Sequence, residues 1–315
     1  MGNIADKKLG KGRAAMRNQK YVDPKKPRCL VTGHMGYIGS RLYNALKTLG
    51  YDTIGIDLKG GHDINSDLNG GLTKDAFHPY YYNFKPEIIF HLACIPRVAY
   101  SMENPVETMK NNVLATTNVL NFARKVGAKR VVYSGSSSVI GNGDGPVSPY
   151  ALQKLVSEME CKLYSEIYDL DTVTLRYFNV YSPDQQASGA YATAIANWMK
   201  YIGEDKTPFI TGDGEQRRDM LNVEDAVSAN IFAMNHVNNF NGGSYDVGTG
   251  ENISLNEIKA IVQKYHPKVD FEYVAPRQGD VLLTKADVKP LKNLGWQTEI
   301  SIREGIIQCF KKIKK

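Results

Sequence analysis

The sequence predicts an α/β protein, with a doubly wound parallel sheet, helices on both faces and a smaller C-terminal α/β lobe. Three observations carry that prediction. Short β-branched runs alternate with helix-length stretches between residues 28 and 180, the pattern of βαβ units. The first run ends in a glycine-rich turn that opens a helix. Beyond about Tyr181 the alternation loses its regularity, as expected of a lobe built onto the sheet.

Residues 1–27 hold eight Lys or Arg against Asp6 and Asp23 and read as a basic, disordered extension. The whole 315-residue chain carries a net charge of +6, so this segment contains all of the excess. The body from Arg28 onward is neutral, which gives no reason to expect nucleic acid as its partner. Arg28–Thr32 reads as a strand, and a helix follows from about Tyr37 to Leu49 with Gly50 as its C-terminal stop. Strands are expected at Thr53–Asp57 and Ile88–Ala93. A helix from about Pro105 to Val126 leads to a strand at Arg130–Ser134. Another from about Tyr150 to Tyr168 leads to a strand at Thr172–Tyr177. In the second lobe a helix is expected near Tyr191–Tyr201, with strands near Phe209 and Tyr245 and over Asp270–Ala275.

No apolar run approaches the roughly 18 residues of a membrane span, and the polar opening residues do not form a secretory signal. Cys29, Cys94, Cys161 and Cys309 show neither paired nor metal-ligand spacing and read as reduced thiols, so a cytoplasmic location is expected.

The first strand runs into Thr32-Gly33-His34-Met35-Gly36-Tyr37-Ile38-Gly39. Glycines at 33, 36 and 39 allow a tight turn and let the backbone approach a pyrophosphate at the helix N-terminus, where unpaired N–H groups favour an anion. The setting between a strand and a helix is the one this Rossmann-like motif requires. Asp57 closes the second strand 18 residues after Gly39, where a carboxylate accepts from the adenosine ribose hydroxyls and repels a 2′-phosphate. NAD is therefore expected over NADP, bound by a domain over 28–180, with a substrate-binding lobe over 181–315 and an interleaved boundary.

Tyr150 and Lys154 lie four apart at the start of a helix and so share a face. A phenol near pKa 10 accepts a proton at neutral pH only if a cation favours its phenolate, and Lys154 supplies one. Ser136, just past the preceding strand, is placed to hold the substrate oxygen while Tyr150 takes its proton and hydride leaves for NAD.

With those residues in place, the sequence resembles the extended short-chain dehydrogenase/reductase family, and within it the nucleotide-sugar 4-epimerases. The likeness runs from Arg28 to about Ile313. It rests on Thr32–Gly39, Asp63-Ile64, His91-Leu92-Ala93, Asn111-Asn112-Val113, Ser134–Gly141, Tyr150–Lys154 and Arg176-Tyr177-Phe178-Asn179. It continues through Gly212–Asp219, Val247–Gly250 and Arg277–Asp280. The resemblance implies cofactor contacts at Gly33, Gly36, Tyr37, Ile38, Gly39, Asp57, Leu92, Ala93, Asn111, Tyr150, Lys154 and Phe178, with Asp63 and Ile64 beside the adenine. It also implies that Asn179, Arg218 and Arg277, with Ser136 at the sugar, hold the diphosphate of a nucleotide sugar, a UDP-sugar first of all.

Family dehydratases carry an Asp-Glu pair after the residue matching Ser136; this chain has Ser137 and Ser138, as befits a 4-epimerase working through a transient 4-keto sugar. Only 13 residues separate Ser136 from Tyr150, so Gly141–Val147 looks like a trimmed substrate loop, and Ile140 replaces a usual Tyr. A reductase or a 4,6-dehydratase on the same scaffold stays open, as does a non-catalytic NAD-binding protein. By the same resemblance a homodimer is expected through a four-helix bundle of the helices near Pro105–Val126 and Tyr150–Tyr168. Leu152, Val156, Met159, Leu163 and Ile167 form an apolar stripe on the second of these, which equally fits packing on the sheet.

Overall fold

Alternate residues of the central strands point to opposite sides of one sheet, and each side is covered by helices. The structure, a computed structural model, describes residues 26–61, 64, 79–185, 187, 193–276, 281–311 and 313. The basic extension up to residue 25, Asp63 and Arg277 lie outside the described residues.

Strand β1 (Cys29–Thr32) is buried throughout and leads into helix α1 (Tyr37–Thr48). Next come β2 (Thr53–Ile56) and β3 (Ile88–His91). The stretch expected as one helix from Pro105 is helical over Pro105–Met109, widens into a π turn at Lys110–Leu114, and continues as α2 (Ala115–Val126). Gly127 closes α2 in a left-handed conformation. Strand β4 (Arg130–Ser136) and helix α3 (Pro149–Tyr168) follow, then β5 (Asp171–Tyr177). Ser148 caps α3, accepting from Ala151 N, with Pro149 at the first turn.

The chain then supplies α4 (Val223–Asn235) and β6 (Gly243–Val247), and β6 joins the same sheet as its outer strand. The order is β2-β1-β3-β4-β5-β6, all parallel. The strand order reverses between β1 and β3, β2 lying on one side of β1 and β3 on the other, so a crevice opens beyond the carboxyl ends of those two strands, where open α/β sheets take their ligands.

The period-two alternation of the strands builds two core layers. Cys29, Val31, Phe90, Val132 and Leu175 pack on one side with α1 and α4, and Leu30, Ile89, Val131 and Tyr133 on the other with α2. The first layer draws Leu221, Ala226, Val247, Leu291 and Trp296 from beyond residue 181. A third cluster, including Tyr181, Trp198, Ile258, Ile306 and Phe310, fills the second lobe. The strand expected over Asp270–Ala275 is Glu272–Val274, exposed and paired with Phe209–Thr211 away from the main sheet. Among the described residues, no helix is long and apolar enough to cross a membrane, and no metal-binding cluster of His, Cys, Asp or Glu occurs.

Candidate active site

The crevice begins with close backbone packing. A Cβ on Gly33 would lie 2.8 Å from Ala93 N, and one on Gly39 would lie 2.1 Å from Gly33 O, so neither site admits a side chain. Gly33 also takes φ of +72°, a left-handed value suited to glycine. Gly36 is the N-cap of α1 and no side chain caps that end. Its first N–H groups are thus free of side-chain acceptors, as an anion-binding helix start requires. Asp57 accepts from Met35 N (2.9 Å) and Lys59 N (3.0 Å), which ties the glycine turn to the end of β2. Across the switch point, Leu92 N and Ala93 N both donate to Thr32 Oγ1 at 3.2 Å.

Other expected cofactor residues have prior commitments. The Tyr37 hydroxyl donates to Ser182 Oγ (2.7 Å), and Arg41 lies over the Tyr37 ring while pairing with Asp184 at 2.6 Å. Ile38 packs against the core, Ile64 is buried within the second layer, and Phe178 is fully enclosed, its N–H donating to Val247 O. His91 is also internal, bridging Thr32 Oγ1 (2.8 Å) and Thr116 Oγ1 (3.0 Å), and burial lowers its pKa to about 3, with the Lys154 charge adding to the effect.

The chemistry-bearing groups meet where β4 ends and α3 begins. Lys154, 3% exposed, donates from Nζ to Ser134 O (2.7 Å), and its ammonium lies 4.9 Å from the centre of the Tyr133 ring and 6.0 Å from that of Tyr150. Ser136 Oγ lies by the Tyr150 phenol and takes a hydrogen bond from Ser138 N (3.2 Å), with Ser138 Oγ 2.9 Å away. Burial pushes the Tyr150 phenol up to about 12, while the Lys154 charge and the Ser136 hydroxyl pull it down. Burial opposes the Lys154 charge, but the neighbouring Cys94 and Tyr150 outweigh it and hold Lys154 above the ordinary lysine value. Tyr150, Lys154 and Ser136 therefore form one contiguous group.

The short connection between Ser136 and Tyr150 is closed by glycines. Gly143 N and Gly145 N both donate to Ile140 O, and Gly141, Gly143 and Gly145 all have positive φ. A Cβ on Gly141 would lie 2.0 Å from Gly145 O, so the loop can fold this tightly only with glycine there.

Asn111 and Asn112 face different ways. Asn111 bonds back to Glu107 O on the outer side of the helix, and Asn112, 2% exposed, is the residue that turns inward. The inward positions of this helical stretch run Thr108, Asn112, Ala115 and Thr116, at ordinary helical spacing through the π turn. Asn112 Oδ1 accepts from Ile95 N (2.7 Å) and its Nδ2 donates to Gln153 Oε1 (2.8 Å). It thereby joins the segment after β3 to the residue beside Lys154. Ser101 Oγ, fully buried, receives Tyr150 N at 3.0 Å. Ser101 does not stand out in the sequence, and Asn112 appears there only within the family-like run Asn111-Asn112-Val113.

On the substrate side, Asn179 spends its NH2 on Asp219 O (2.8 Å) and Thr284 Oγ1 (3.2 Å). Arg218 lies on the short strand Arg217–Arg218 and donates to Arg217 O.

The NAD dependent epimerase/dehydratase family matches this chain over residues 29–248. The chain belongs to that family. As a member it is an NAD-dependent enzyme, and the glycine turn, the switch-point crevice and Asp57 fit that cofactor. A putative UDP-glucose 4-epimerase of Methanocaldococcus jannaschii is 33% identical over 88% of this chain and 95% of its own length. The fold matches that of a UDP-N-acetylglucosamine 4-epimerase from Methanobrevibacter ruminantium solved with UDP-N-acetylmuramic acid. There the TM-score is 0.80 at 28% identity, over 91% of this chain and 98% of the other. A UDP-glucuronic acid 4-epimerase from Bacillus cereus, solved with UDP-glucuronic acid and NAD, gives 0.78 at 27% identity, over 91% and 98%.

Proposed function

We propose that this family member is a 4-epimerase of a UDP-linked sugar, working through a transient 4-keto intermediate. The observation that carries the reading is the buried Tyr150–Lys154 pair against Ser136, with serines at 137 and 138. Among the described residues, Ser136, Ser138 and Tyr150 have no hydrogen bond to a carboxylate, and eliminating water from the sugar would call for an acid and a base there. The relatives and structural neighbours named for UDP-sugar 4-epimerases support the substrate class.

In this reading the Gly33–Gly39 turn and Asp57 would hold NAD, which would supply reversible hydride acceptance at C4 of the sugar. Ser136 holds the C4 hydroxyl. Tyr150 accepts its proton, so that the C4–H and O–H bonds break as the carbonyl forms. Lys154 stabilises the phenolate that Tyr150 must become, and Ser134 O and the Tyr133 ring fix the ammonium in place. After the keto sugar turns over, Tyr150 gives the proton back to the new alkoxide. Asn179, Arg218 and Arg277 retain the nucleotide end while the sugar rotates.

We also infer a homodimer. Leu152, Met159, Leu163 and Ile167 are 48–62% exposed on α3, and Val106, Met109 and Leu114 extend the apolar face along the neighbouring helix. A continuous apolar face of this kind favours self-association over solvent. A cytoplasmic setting accords with the four unpaired cysteines.

The deciding experiment incubates the enzyme with UDP-, GDP- and dTDP-sugars and separates the products chromatographically before mass spectrometry. An isomer of equal mass without net NADH, lost in Tyr150→Phe, is the expected result. A product lacking water or carbon dioxide would overturn the epimerase reading.

A further inference from the structure

Asp219 is fully buried, yet its carboxylate is the meeting point of three segments far apart in the chain. Oδ1 accepts from Thr249 N (2.9 Å) and Thr249 Oγ1 (2.8 Å). Oδ2 accepts from Gly250 N (2.9 Å) and Ala286 N (3.1 Å). Its backbone adds further ties, with N donating to Thr284 O and Thr284 Oγ1, and O accepting from Asn179 Nδ2. Gly248 makes room for the arrangement, since a Cβ there would lie 2.8 Å from Asp219 Oδ2 and 2.6 Å from Ala286 Cβ.

These segments share one location. Asn179 follows β5, Thr249 and Gly250 follow β6, and Phe178 N binds Val247 O between them, so Asp219 stands beyond the carboxyl ends of two adjacent strands. Asp219 is also the immediate chain neighbour of Arg218. A bare carboxylate beside a diphosphate would repel it. Four donors aimed at Asp219 saturate its lone pairs and spread its charge, so it acts as an anchor. The same bonds fix the backbone from which Arg218 projects and the amide of Asn179.

We propose that Asp219 is a positioning residue for the nucleotide diphosphate, holding Asn179, Arg218 and the Thr284–Ala286 segment in a single register. The proposal rests on the reading that Arg218 and Asn179 serve the substrate diphosphate. Asp219→Asn keeps the side-chain shape but turns a donor NH2 toward an N–H or hydroxyl that already donates, which breaks the register locally. Its effect belongs in nucleotide affinity. Tyr150, Lys154 and the glycine turn lie on other segments, so turnover at saturation and bound NAD are preserved.

The test uses the full chain with UDP as probe. Calorimetric Kd, KM and kcat, NAD content and melting temperature are measured for wild type, Asp219→Asn, Thr249→Val and Arg218→Ala. Loss of a satisfied buried acceptor predicts that Asp219→Asn raises the UDP Kd and the KM by about tenfold or more, with kcat within about threefold and NAD retained. Thr249→Val removes one of the four bonds and predicts a rise of about threefold. An unchanged UDP Kd in Asp219→Asn, or a collapse of kcat with KM unaltered, would overturn the proposal. If Asp219→Asn fails to fold, Thr249→Val decides, and an unchanged Kd there overturns it. Arg218→Ala separates the two levels. Weaker UDP binding in Arg218→Ala with normal binding in Asp219→Asn rejects the positioning role alone, whereas normal binding in Arg218→Ala rejects the diphosphate reading beneath it.

Discussion

The cofactor side and the substrate side of this crevice are built by different means. On the cofactor side, backbone packs on backbone, with Gly33 against Ala93 and Gly39 against Gly33, and most contributors lie within one strand–turn–helix unit. On the side proposed for the substrate, Asn179, Asp219, Thr249, Gly250 and Thr284 come from four stretches spread over more than a hundred residues and are joined mainly through one residue, Asp219, by its backbone and its carboxylate together. A local unit tolerates little change in its own residues but is indifferent to distant ones. An assembled unit depends on every segment that reaches it, and its geometry can be retuned from many positions.

The largest expected effect tests the chemistry at the boundary between the two sides. Tyr150→Phe removes the proton acceptor and should lower kcat by about 10²–10⁴-fold while bound NAD persists. Product chromatography and NAD content check it. The companion Lys154→Met removes the charge that keeps the buried Tyr150 phenol, already raised to about 12, from rising further, so residual activity should begin its rise at a higher pH than in wild type. A pH–rate profile unmoved by Lys154→Met would deny Lys154 that role.

The next effect probes the backbone-built side. Gly39→Ala places a Cβ where only about 2 Å is free, and a packing cost of roughly 1–3 kcal/mol predicts NAD binding about 10- to 100-fold weaker. UDP affinity, set on the other side, should hold, and a parallel loss of both would erase the distinction. Within the helix that crosses the site, Asn112→Ala should cost about 1–3 kcal/mol by stranding Ile95 N and Gln153. Asn111→Ala should stay within about 0.5 kcal/mol. Denaturant titration of the two variants distinguishes them.

The smallest effect concerns His91. Its pKa is about 3 in the folded protein, against an ordinary value of 6.5, so below 6.5 the unfolded chain takes up a proton that the folded one refuses. This contribution is fully present above pH 6.5. It falls by about 1.4 kcal/mol per pH unit on the way down toward 3. Melting temperatures between pH 7 and 5 should therefore fall more steeply in wild type than in a folded His91→Asn variant.

How much of this was legible in the sequence follows the same division. The glycine turn, Asp57, Ser136, Tyr150 and Lys154 are short-range patterns whose spacing alone implies their geometry, and the alternation of strands and helices implies the parallel sheet. Asn112 lies at a position that helical spacing turns inward with Thr108 and Thr116, but its partners Ile95 and Gln153 come from other segments and are set by tertiary folding. In the sequence Asp219 is visible only as the last residue of the family-like run Gly212–Asp219. Its importance comes from Thr249, Gly250 and Ala286, whose approach depends on tertiary folding. The apolar stripe on α3 was equally compatible with core or surface until the exposure of Met159 and Ile167 decided it.

The glycine-closed connection from Ser136 to Tyr150 has a consequence for engineering. Gly141, Gly143 and Gly145 fold it back tightly onto Ile140 O, while Ser138 and the Ser148 cap hold its ends independently. Added residues would therefore enter at the tip and leave both anchors in place. Since closing a loop of twice the length costs only about 0.6 kcal/mol more, this segment is the natural graft point for redesigning which sugars the crevice admits.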